Sequence, residues 1–409
     1  MKTANSNGNP PEADSCPEWW AGARPAPTAF RTCPDPKILL ESFIIVRHLL
    51  FLITLSLLPL SVVGADQGET EKYYNQALEC YQKGALEEGL QACQGALEIE
   101  PTSPRPHNYM GLFYKRMGKL DEAINQFKKA LELDANLPEV HANLGNAYME
   151  KGLIEESIKE HQRALELSPD TAELHNNLGY ALEKRGEIEE AVGEYLRANR
   201  LNPDLAEPHG NLGRLYLKKR IFHRAMSELE RAVEINPSLV EAHYLLIEVY
   251  VTKNALEKAT GQCAILLELN PRDARARTQL GMILAKKGLT EEAIKEGLKA
   301  LEIDPQLAEA HTLLGDLYFA QGNTGEALKS YQSAIKADPD SASAHLGLAL
   351  LYNKAGMLEE ALVSFKEAVR LDPTNPEARK GLGLVYELLG KGREADEEFK
   401  VYEALIRKS

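Results

Sequence analysis

Apolar residues in much of the chain recur at steps of three and four positions, in pairs of short runs separated by a few polar residues. The segment from residue 308 to residue 341 contains one such pair. Its apolar positions are Leu313, Leu314, Leu317 and Tyr318, followed by Ala327, Leu328, Tyr331, Ala334 and Ile335. This spacing predicts two amphipathic helices of about 14 residues each. Gly322 follows the first run, where we expect it to end the helix in a left-handed conformation.

The same pattern returns every 34 residues. Prolines share one phase at Pro101, Pro169, Pro203, Pro237, Pro271, Pro305, Pro339 and Pro373. Glycines share another at Gly84, Gly118, Gly152, Gly186, Gly288, Gly322, Gly356 and Gly390, with Arg220 and Asn254 in the two remaining places. One helical hairpin is too small to bury its apolar face alone, so neighbouring hairpins must stack. The period therefore predicts an all-α solenoid.

The recurring positions carry a specific motif. In the segment 308–341 they are His311, Leu314, Gly315, Tyr318, Ala327, Tyr331 and Pro339. This arrangement resembles the tetratricopeptide repeat, a helix–turn–helix unit of 34 residues. Ten units match without insertion, at 70–103, 104–137, 138–171, 172–205, 206–239, 240–273, 274–307, 308–341, 342–375 and 376–409. The resemblance implies a right-handed superhelix of helical hairpins whose first helices line a concave groove for extended peptides.

Two units depart from the motif. In the sixth unit, Ile247 and Leu266 replace the usual glycine and alanine at close helix contacts. Bulky groups at such contacts should spread the hairpin, so we expect a local bend or a softer joint around residues 240–273. The first unit is degenerate, as is typical of a capping repeat.

The N-terminal part of the chain has a different character. Residues 1–37 are rich in proline and polar groups without a period, which favours a disordered leader. A hydrophobic segment follows at 38–65, and 66–409 forms the repeat region. The uncharged run Leu49–Ala65 would span about 25 Å as a helix, short of the roughly 30 Å membrane core, and it ends in small residues. These features favour a signal peptide cleaved after Ala65; an uncleaved membrane anchor is the alternative.

Both alternatives place the repeats on the same side of a membrane. Lys37 and Arg47 precede the uncharged run, whereas Asp66 and Glu69 follow it. The positive-inside rule then predicts extracytoplasmic repeats, either periplasmic or secreted, or anchored in the membrane with the repeats outside. A translation start at Val46 would turn the segment into a compact signal with a basic beginning.

Charge and motif content exclude several functions. The formal net charge of −14 repels a phosphate backbone, so we expect no nucleic-acid partner. No catalytic or nucleotide-binding motif is recognisable, so we expect neither enzymatic activity nor a cofactor. Seven histidines share one repeat phase: His107, His141, His175, His209, His243, His311 and His345. Metal ligands lie within about 2 Å of one ion, whereas packed helices are about 8–10 Å apart, so these histidines predict structural roles and no metal site.

Asparagines provide the candidate binding residues. Asn75, Asn143, Asn177 and Asn211 share one phase on the first helices, with Asn108, Asn146 and Asn176 beside them. The row resembles the asparagine ladder in the tetratricopeptide domain of O-linked N-acetylglucosamine transferases. An amide can both donate to and accept from a peptide backbone. We therefore expect units three to five to form the binding groove for a protein or peptide partner.

Two further features leave alternatives open. Cys80 and Cys93 lie on opposite helices of the first unit, and they are either free thiols or a disulfide. Tyr402, Leu405 and Ile406 form an apolar face on the last helix, which makes self-association possible.

The sequence as a whole favours a non-enzymatic protein-interaction scaffold at the cell envelope. The alternative is a regulatory or substrate-recruiting subunit of an enzyme, such as a glycosyltransferase system.

Overall fold

The computed structural model describes residues 67–407, and within this range every regular element is an α-helix. The helices are α1 (Gln67–Lys83), α2 (Leu86–Ile99), α3 (Pro104–Arg116), α4 (Leu120–Leu133), α5 (Pro138–Glu150), α6 (Ile154–Leu167), α7 (Ala172–Arg185), α8 (Ile188–Leu201), α9 (Ala206–Lys218), α10 (Phe222–Ile235), α11 (Val240–Thr252), α12 (Leu256–Leu269), α13 (Ala274–Lys286), α14 (Thr290–Ile303), α15 (Ala308–Ala320), α16 (Thr324–Ala337), α17 (Ala342–Lys354), α18 (Leu358–Leu371), α19 (Pro376–Leu388) and α20 (Gly392–Ile406). The expected leader at 1–37 and the expected signal or anchor at 38–65 lie outside the described residues.

The helices stack as consecutive hairpins. Each odd-numbered helix packs against the even-numbered helix that follows it, and each even-numbered helix packs against the next hairpin. The odd-numbered helices of most successive hairpins also contact one another and form the closer-packed of the two rows. Their surface is called the first-helix face below. The predicted all-α tetratricopeptide-type solenoid is confirmed, with one hairpin for each predicted unit.

The residue that ends each first helix adopts the predicted left-handed conformation. Gly322 has a φ of 76°, and the equivalent Arg220 and Asn254 have φ values of 59° and 55°. Glycine adopts this region without penalty, whereas a residue with a Cβ loses roughly 1–2 kcal/mol there. The fifth unit accepts this cost at Arg220, because the hairpin turn requires the same backbone conformation in every unit.

An Asn or Asp precedes six of the eight periodic prolines and organises the connection between units. The Asp304 carboxylate accepts a hydrogen bond from the Gln306 backbone N–H at 3.0 Å, and Asn236 accepts one from Ser238 N–H at 3.1 Å. These are Asx turns, in which a short polar side chain substitutes for a backbone acceptor. Proline disfavours the helical conformation in the residue before it, so each second helix ends at this step.

A close contact between a glycine and a large side chain joins the two helices of most hairpins. Tyr331 on α16 is 1% exposed and lies directly against Gly315 on α15. A Cβ atom added to Gly315 would lie 2.6 Å from Tyr331 Cδ1, closer than two carbon atoms can approach. Gly179 faces Tyr195 in the same way, with a distance of 2.9 Å from the added Cβ to Cδ1. The glycine is therefore required by the ring that packs on it.

In the sixth hairpin the larger side chain is on the first helix and the smaller one is on the second. Ile247 occupies the glycine position, and Cys263 occupies the position of the ring; both are fully buried. The exchange keeps the total volume similar, but the two helices, α11 and α12, pack less closely than those of any other hairpin. The hairpin is thus spread, as Ile247 and Leu266 predicted. The expected bend around residues 240–273 stays a prediction.

The histidines that share one phase connect helices of the solenoid. His175 Nδ1 lies 2.5 Å from Glu194 Oε2 on the second helix of its own hairpin, and its Nε2 lies 2.9 Å from the carbonyl oxygen of Pro169. In the seventh unit Arg277 replaces histidine and keeps equivalent partners, donating to Glu296 and to the Pro271 carbonyl oxygen. These side chains act as structural links, and the described residues contain no group of side chains suited to a metal ion.

We expect Gly315→Ala to destabilise the solenoid by about 1–3 kcal/mol, because the added methyl group would displace the buried Tyr331 ring. Gly193→Ala is the matched control, since Gly193 lies inside α8 with open space around its Cα. That change should stabilise the helix by about 0.5–1 kcal/mol. Chemical denaturation followed by circular dichroism compares the two variants, and equal effects would contradict the proposed packing constraint.

His175→Ala should reduce the free energy of unfolding by about 1–3 kcal/mol, because it removes the buried imidazole that bonds the half-buried Glu194 carboxylate and the Pro169 carbonyl oxygen. His345→Ala is the control, as His345 is half-buried and contacts only the Pro339 carbonyl oxygen, at 3.1 Å. We expect a smaller loss for this variant in the same denaturation measurement. A larger loss of stability in His345→Ala would show that the number of hydrogen bonds made by the histidine does not determine how much its removal destabilises the fold.

Candidate functional site

The seven candidate asparagines lie on the first helices of units one to five. Asn75 is on α1, Asn108 on α3, Asn143 and Asn146 on α5, Asn176 and Asn177 on α7, and Asn211 on α9. Asn75 is exposed and stands apart from the others, in the first unit. The remaining six are half-buried or, for Asn108, buried. The row is therefore partly embedded in the contacts between neighbouring helices.

Two pairs of asparagines are bonded to each other across neighbouring units. Asn143 Nδ2 donates to Asn108 Oδ1 at 3.0 Å, and Asn211 Nδ2 donates to Asn176 Oδ1 at 3.1 Å. Each pair joins residues 35 positions apart in sequence. The role of these four asparagines in binding a peptide stays a prediction, because each amide retains further hydrogen-bonding groups. Each pair uses one donor and one acceptor to hold two first helices together.

Asn177 has no such asparagine partner, because its neighbour in the preceding unit is Ala142, which has no polar side chain. Neither Asn177 nor Asn146 makes a side-chain hydrogen bond to any other residue within 67–407, and both are half-buried. Each amide therefore keeps its two donors and its acceptor oxygen for another molecule.

Four of the candidate asparagines line one groove of about 330 Å³ on the first-helix face, called the asparagine groove here. Its polar lining consists of Asn146, Asn176, Asn177, Asn211, His161, Arg214, Glu207 and Glu241. Its other lining residues are Met149, Tyr180, Gly210, Leu239, Ala242 and Leu245. The groove thus combines convergent polar groups with apolar side chains, the usual composition of a ligand site. It extends from the third unit into the sixth, one unit beyond the predicted range.

No pattern in the sequence indicated the charged network at the wall of this groove. Arg214 forms a bidentate ion pair with Glu183, with Nη2 to Oε2 at 2.9 Å, and also donates to Asn211 Oδ1 at 3.1 Å. The Tyr195 hydroxyl donates to the same Glu183 carboxylate at 3.1 Å, and burial raises the pKa of Tyr195. Glu183 balances the charge of Arg214, and the network fixes the guanidinium in place. The exposed rim of the groove therefore takes its charge from Glu207 and Glu241.

His161 also lines the groove, and it lies outside the repeat phase that seven other histidines share. The side chain is 1% exposed, and its Nδ1 has no hydrogen-bond partner within the protein. Burial lowers the pKa of His161 to about 4, so the imidazole is neutral near pH 7. A comparison of second-helix positions across the units would have identified it, since apolar or aromatic residues occupy most of the equivalent places.

A second groove of about 640 Å³ lies on the first-helix face of the last three units. Five carboxyl groups line it, those of Glu309, Asp316, Asp338, Asp372 and Glu377, and no basic side chain does. Burial raises the pKa of Asp316, whose carboxylate accepts a hydrogen bond from the Tyr331 hydroxyl at 2.7 Å. The glutamates that open the first helices thus make part of this face acidic. None of the candidate asparagines lies here.

Cys80 and Cys93 are free thiols in the structure, and a disulfide between them stays an alternative. Cys93 is 1% exposed in the contact between helices, and burial raises its pKa to about 12. A thiol held in its neutral form is a poor nucleophile for oxidation, which agrees with the free-thiol alternative.

Protonation of His161 should destabilise the fold. An unfolded histidine has a pKa of about 6.5, and the folded pKa is about 4. Between these values the unfolded chain binds a proton that the folded chain does not, so stability decreases as the pH falls from about 6.5 to about 4. His161→Phe should remove roughly 2–3 kcal/mol of this decrease. Denaturation midpoints at pH 7 and 4.5 test this, with Ser157→Ala as the non-titrating control on the same helix; an unchanged pH dependence in His161→Phe would refute it.

Family models of a known repeat match several parts of the chain. Family models described as "Tetratricopeptide repeat" match residues 312–376 and 206–239, and one described as "TPR repeat" matches 114–152, 145–186, 182–219 and 281–322. A search of curated proteins found no match. No helix among residues 67–407 has both the length and the apolar character needed to cross a membrane.

Three solved structures illustrate the likeness to known folds. The crystal structure of YrrB, titled a TPR protein with an unusual peptide-binding site, is 28% identical, with a TM-score of 0.40, over 45% of this chain and 95% of that one. PilF of Pseudomonas aeruginosa is 20% identical, with a TM-score of 0.48, over 54% and 99% of the two chains. Yeast Tom70 is 13% identical, with a TM-score of 0.48, over 83% and 93%. On the strength of its matched repeats and its stacked helical hairpins, the chain belongs to the tetratricopeptide-repeat family.

Proposed function

We propose that this protein is a non-enzymatic interaction scaffold whose asparagine groove binds an extended segment of a partner protein. Tetratricopeptide repeats serve protein–protein interaction, and the family supports this general role. The observation that carries the specific proposal is the pair of unbonded amides, Asn146 and Asn177, in one groove with apolar side chains. No other part of the first-helix face within the described residues combines these features.

The amides would recognise the backbone of the bound segment. An asparagine side chain can donate to a peptide carbonyl and accept from a peptide N–H, which satisfies the main chain whatever its side chains are. Met149, Leu239 and Leu245 would cover apolar side chains of the segment. The paired asparagines, Asn143 with Asn108 and Asn211 with Asn176, would contribute by fixing the spacing of the first helices.

Charge supports a partner segment with basic residues beside the bound stretch. Glu207 and Glu241 are exposed at the rim of the groove, and Arg214 is already paired with Glu183. The formal net charge of the chain is −14. A field of this sign accelerates the encounter with a basic partner, and salt weakens that acceleration.

We also propose that the repeats act outside the cytoplasm. The argument is the sequence argument alone: a hydrophobic segment at 38–65 with basic residues before it and acidic residues after it. Signal peptide and membrane anchor both remain compatible with this location.

A subunit that recruits substrates for an enzyme would use the same groove. This second role is supported only by the resemblance of the asparagine row to the ladder of O-linked N-acetylglucosamine transferases. An activity that co-purifies with the protein and is lost in the groove variants below would favour it.

The combined variant Asn146→Ala, Asn177→Ala should weaken peptide binding by about 10- to 100-fold, because it removes several hydrogen bonds worth about 1 kcal/mol each. A random decapeptide library displayed on phage would be selected on the full chain, and the best peptide then measured by fluorescence anisotropy. The matched control is Asn75→Ala, at the same repeat position but on the exposed surface of the first unit. Equal affinities for the wild type and the double variant would overturn the groove assignment.

Export predicts a defined mature N-terminus. The native protein, fractionated from its source cells, should be recovered outside the cytoplasm, with Asp66 as its first residue if the signal is cleaved. A full-length chain in the membrane fraction would support the anchor alternative. Recovery of the full-length chain in the cytoplasmic fraction would contradict both alternatives.

A further inference from the structure

The third unit carries polar residues at two positions that are apolar in nearly all the others. Eight units have alanine at the position of Ser157, and the position of His161 holds Phe127, Leu229 or Phe365 in other units. Both residues lie on α6, one helical turn apart, and both are fully buried, with exposures of 0% and 1%. The third hairpin thus replaces two apolar core groups with polar ones.

These polar groups have no hydrogen-bond partners within the protein. Ser157 Oγ and His161 Nδ1 are both buried and unbonded. Elsewhere, polar atoms at the position of His161 are satisfied: the Tyr195 hydroxyl donates to Glu183 and the Tyr331 hydroxyl to Asp316. Buried polar groups in folded proteins are nearly always paired, and an unpaired one reduces stability. Such an exception at the floor of a groove points to a partner that comes from outside the chain.

The repeat position of His161 places the imidazole beneath the asparagine groove. Equivalent side chains lie between two first helices: Tyr331 packs against Gly315 in its own unit and against Gly347 in the next. Asn177 holds, relative to His161, the repeat position that Gly347 holds relative to Tyr331. Both His161 and Asn177 line the asparagine groove, whereas Ser157 does not. By repeat equivalence the imidazole lies beside Asn177, and it is the most buried of the polar residues that line the groove.

The surroundings restrict what the imidazole can recognise. A neutral imidazole has one nitrogen that donates and one that accepts, and a hydroxyl group can complement either of them. A carboxylate would be repelled by Glu207 and Glu241, while Arg214 is already neutralised by Glu183. A buried cation would lose its hydration in the poorly exposed floor around His161. A small neutral hydroxyl avoids both penalties.

We propose that His161 is a specificity-determining residue that hydrogen-bonds a serine or threonine side chain of the segment bound in the asparagine groove. This inference rests on the proposed peptide-binding function and adds the chemical class of side chain that enters the groove. The hydroxyl would occupy the floor, while Asn146 and Asn177 hold the backbone on either side of it.

Selection of a random decapeptide library on the full chain and on its His161→Phe variant tests the inference. Phenylalanine occupies this position in the second and ninth units, so the variant is expected to fold with a higher unfolding midpoint. Wild-type peptides should carry serine or threonine at one fixed position, and variant-selected peptides should carry an apolar residue there. Replacing that hydroxyl residue by alanine should weaken wild-type binding about tenfold and leave binding to the variant unchanged.

Ser157→Ala is the matched control, because it removes an equally buried and unbonded group that does not line the groove. It should retain the wild-type preference for a hydroxyl; a loss of that preference would mean that core packing, rather than recognition, controls selection. Peptides that bind through Asn146 and Asn177 without a hydroxyl preference, or with a preference for lysine, would overturn this inference and leave the proposed function intact. A wild-type chain that retains no peptide would overturn both.

Discussion

The contact between a glycine of the first helix and a large side chain of the second sets the geometry on which the solenoid depends. Tyr331 shows both of its consequences, because it lies against Gly315 within its own hairpin and against Gly347 in the next. One side chain therefore fixes the distance within a hairpin and the distance between hairpins. Close packing transmits any change of size at this position to both contacts. The spread sixth hairpin, with Ile247 and Cys263 in these places, shows the effect.

The same structural position also supplies the floor of the asparagine groove. In the third unit it holds His161, and in the fourth it holds Tyr195, whose hydroxyl supports Glu183 and through it Arg214. Packing and recognition thus share one layer of side chains beneath the first-helix face. A polar residue in this layer reduces stability locally, which the regular packing of the other hairpins can offset. Repeat proteins tolerate such a site because each unit contacts only its neighbours.

Whether an asparagine side chain is hydrogen-bonded within the protein depends on the residue that faces it from the preceding unit. Asn143 and Asn211 face Asn108 and Asn176 and are bonded to them, whereas Asn177 faces Ala142 and is free. A row that is uniform in sequence is therefore divided into amides that hold helices together and amides that remain available. The first-helix face is differentiated further by charge, with the acidic groove in the last three units.

The repeat length, the helical hairpins and the left-handed residues such as Gly322 and Asn254 could be predicted from the amino-acid sequence. These features are local, and their repetition reinforces the signal ten times. The sequence also located most of the groove, because Asn146, Asn176, Asn177 and Asn211 share one helix face. Three properties became visible in the folded chain alone: which amides are free, how far the groove extends into the sixth unit, and the burial of His161 without a partner in its floor. These properties depend on contacts between residues about one repeat apart, and a sequence pattern records the types of those residues but not their pairing.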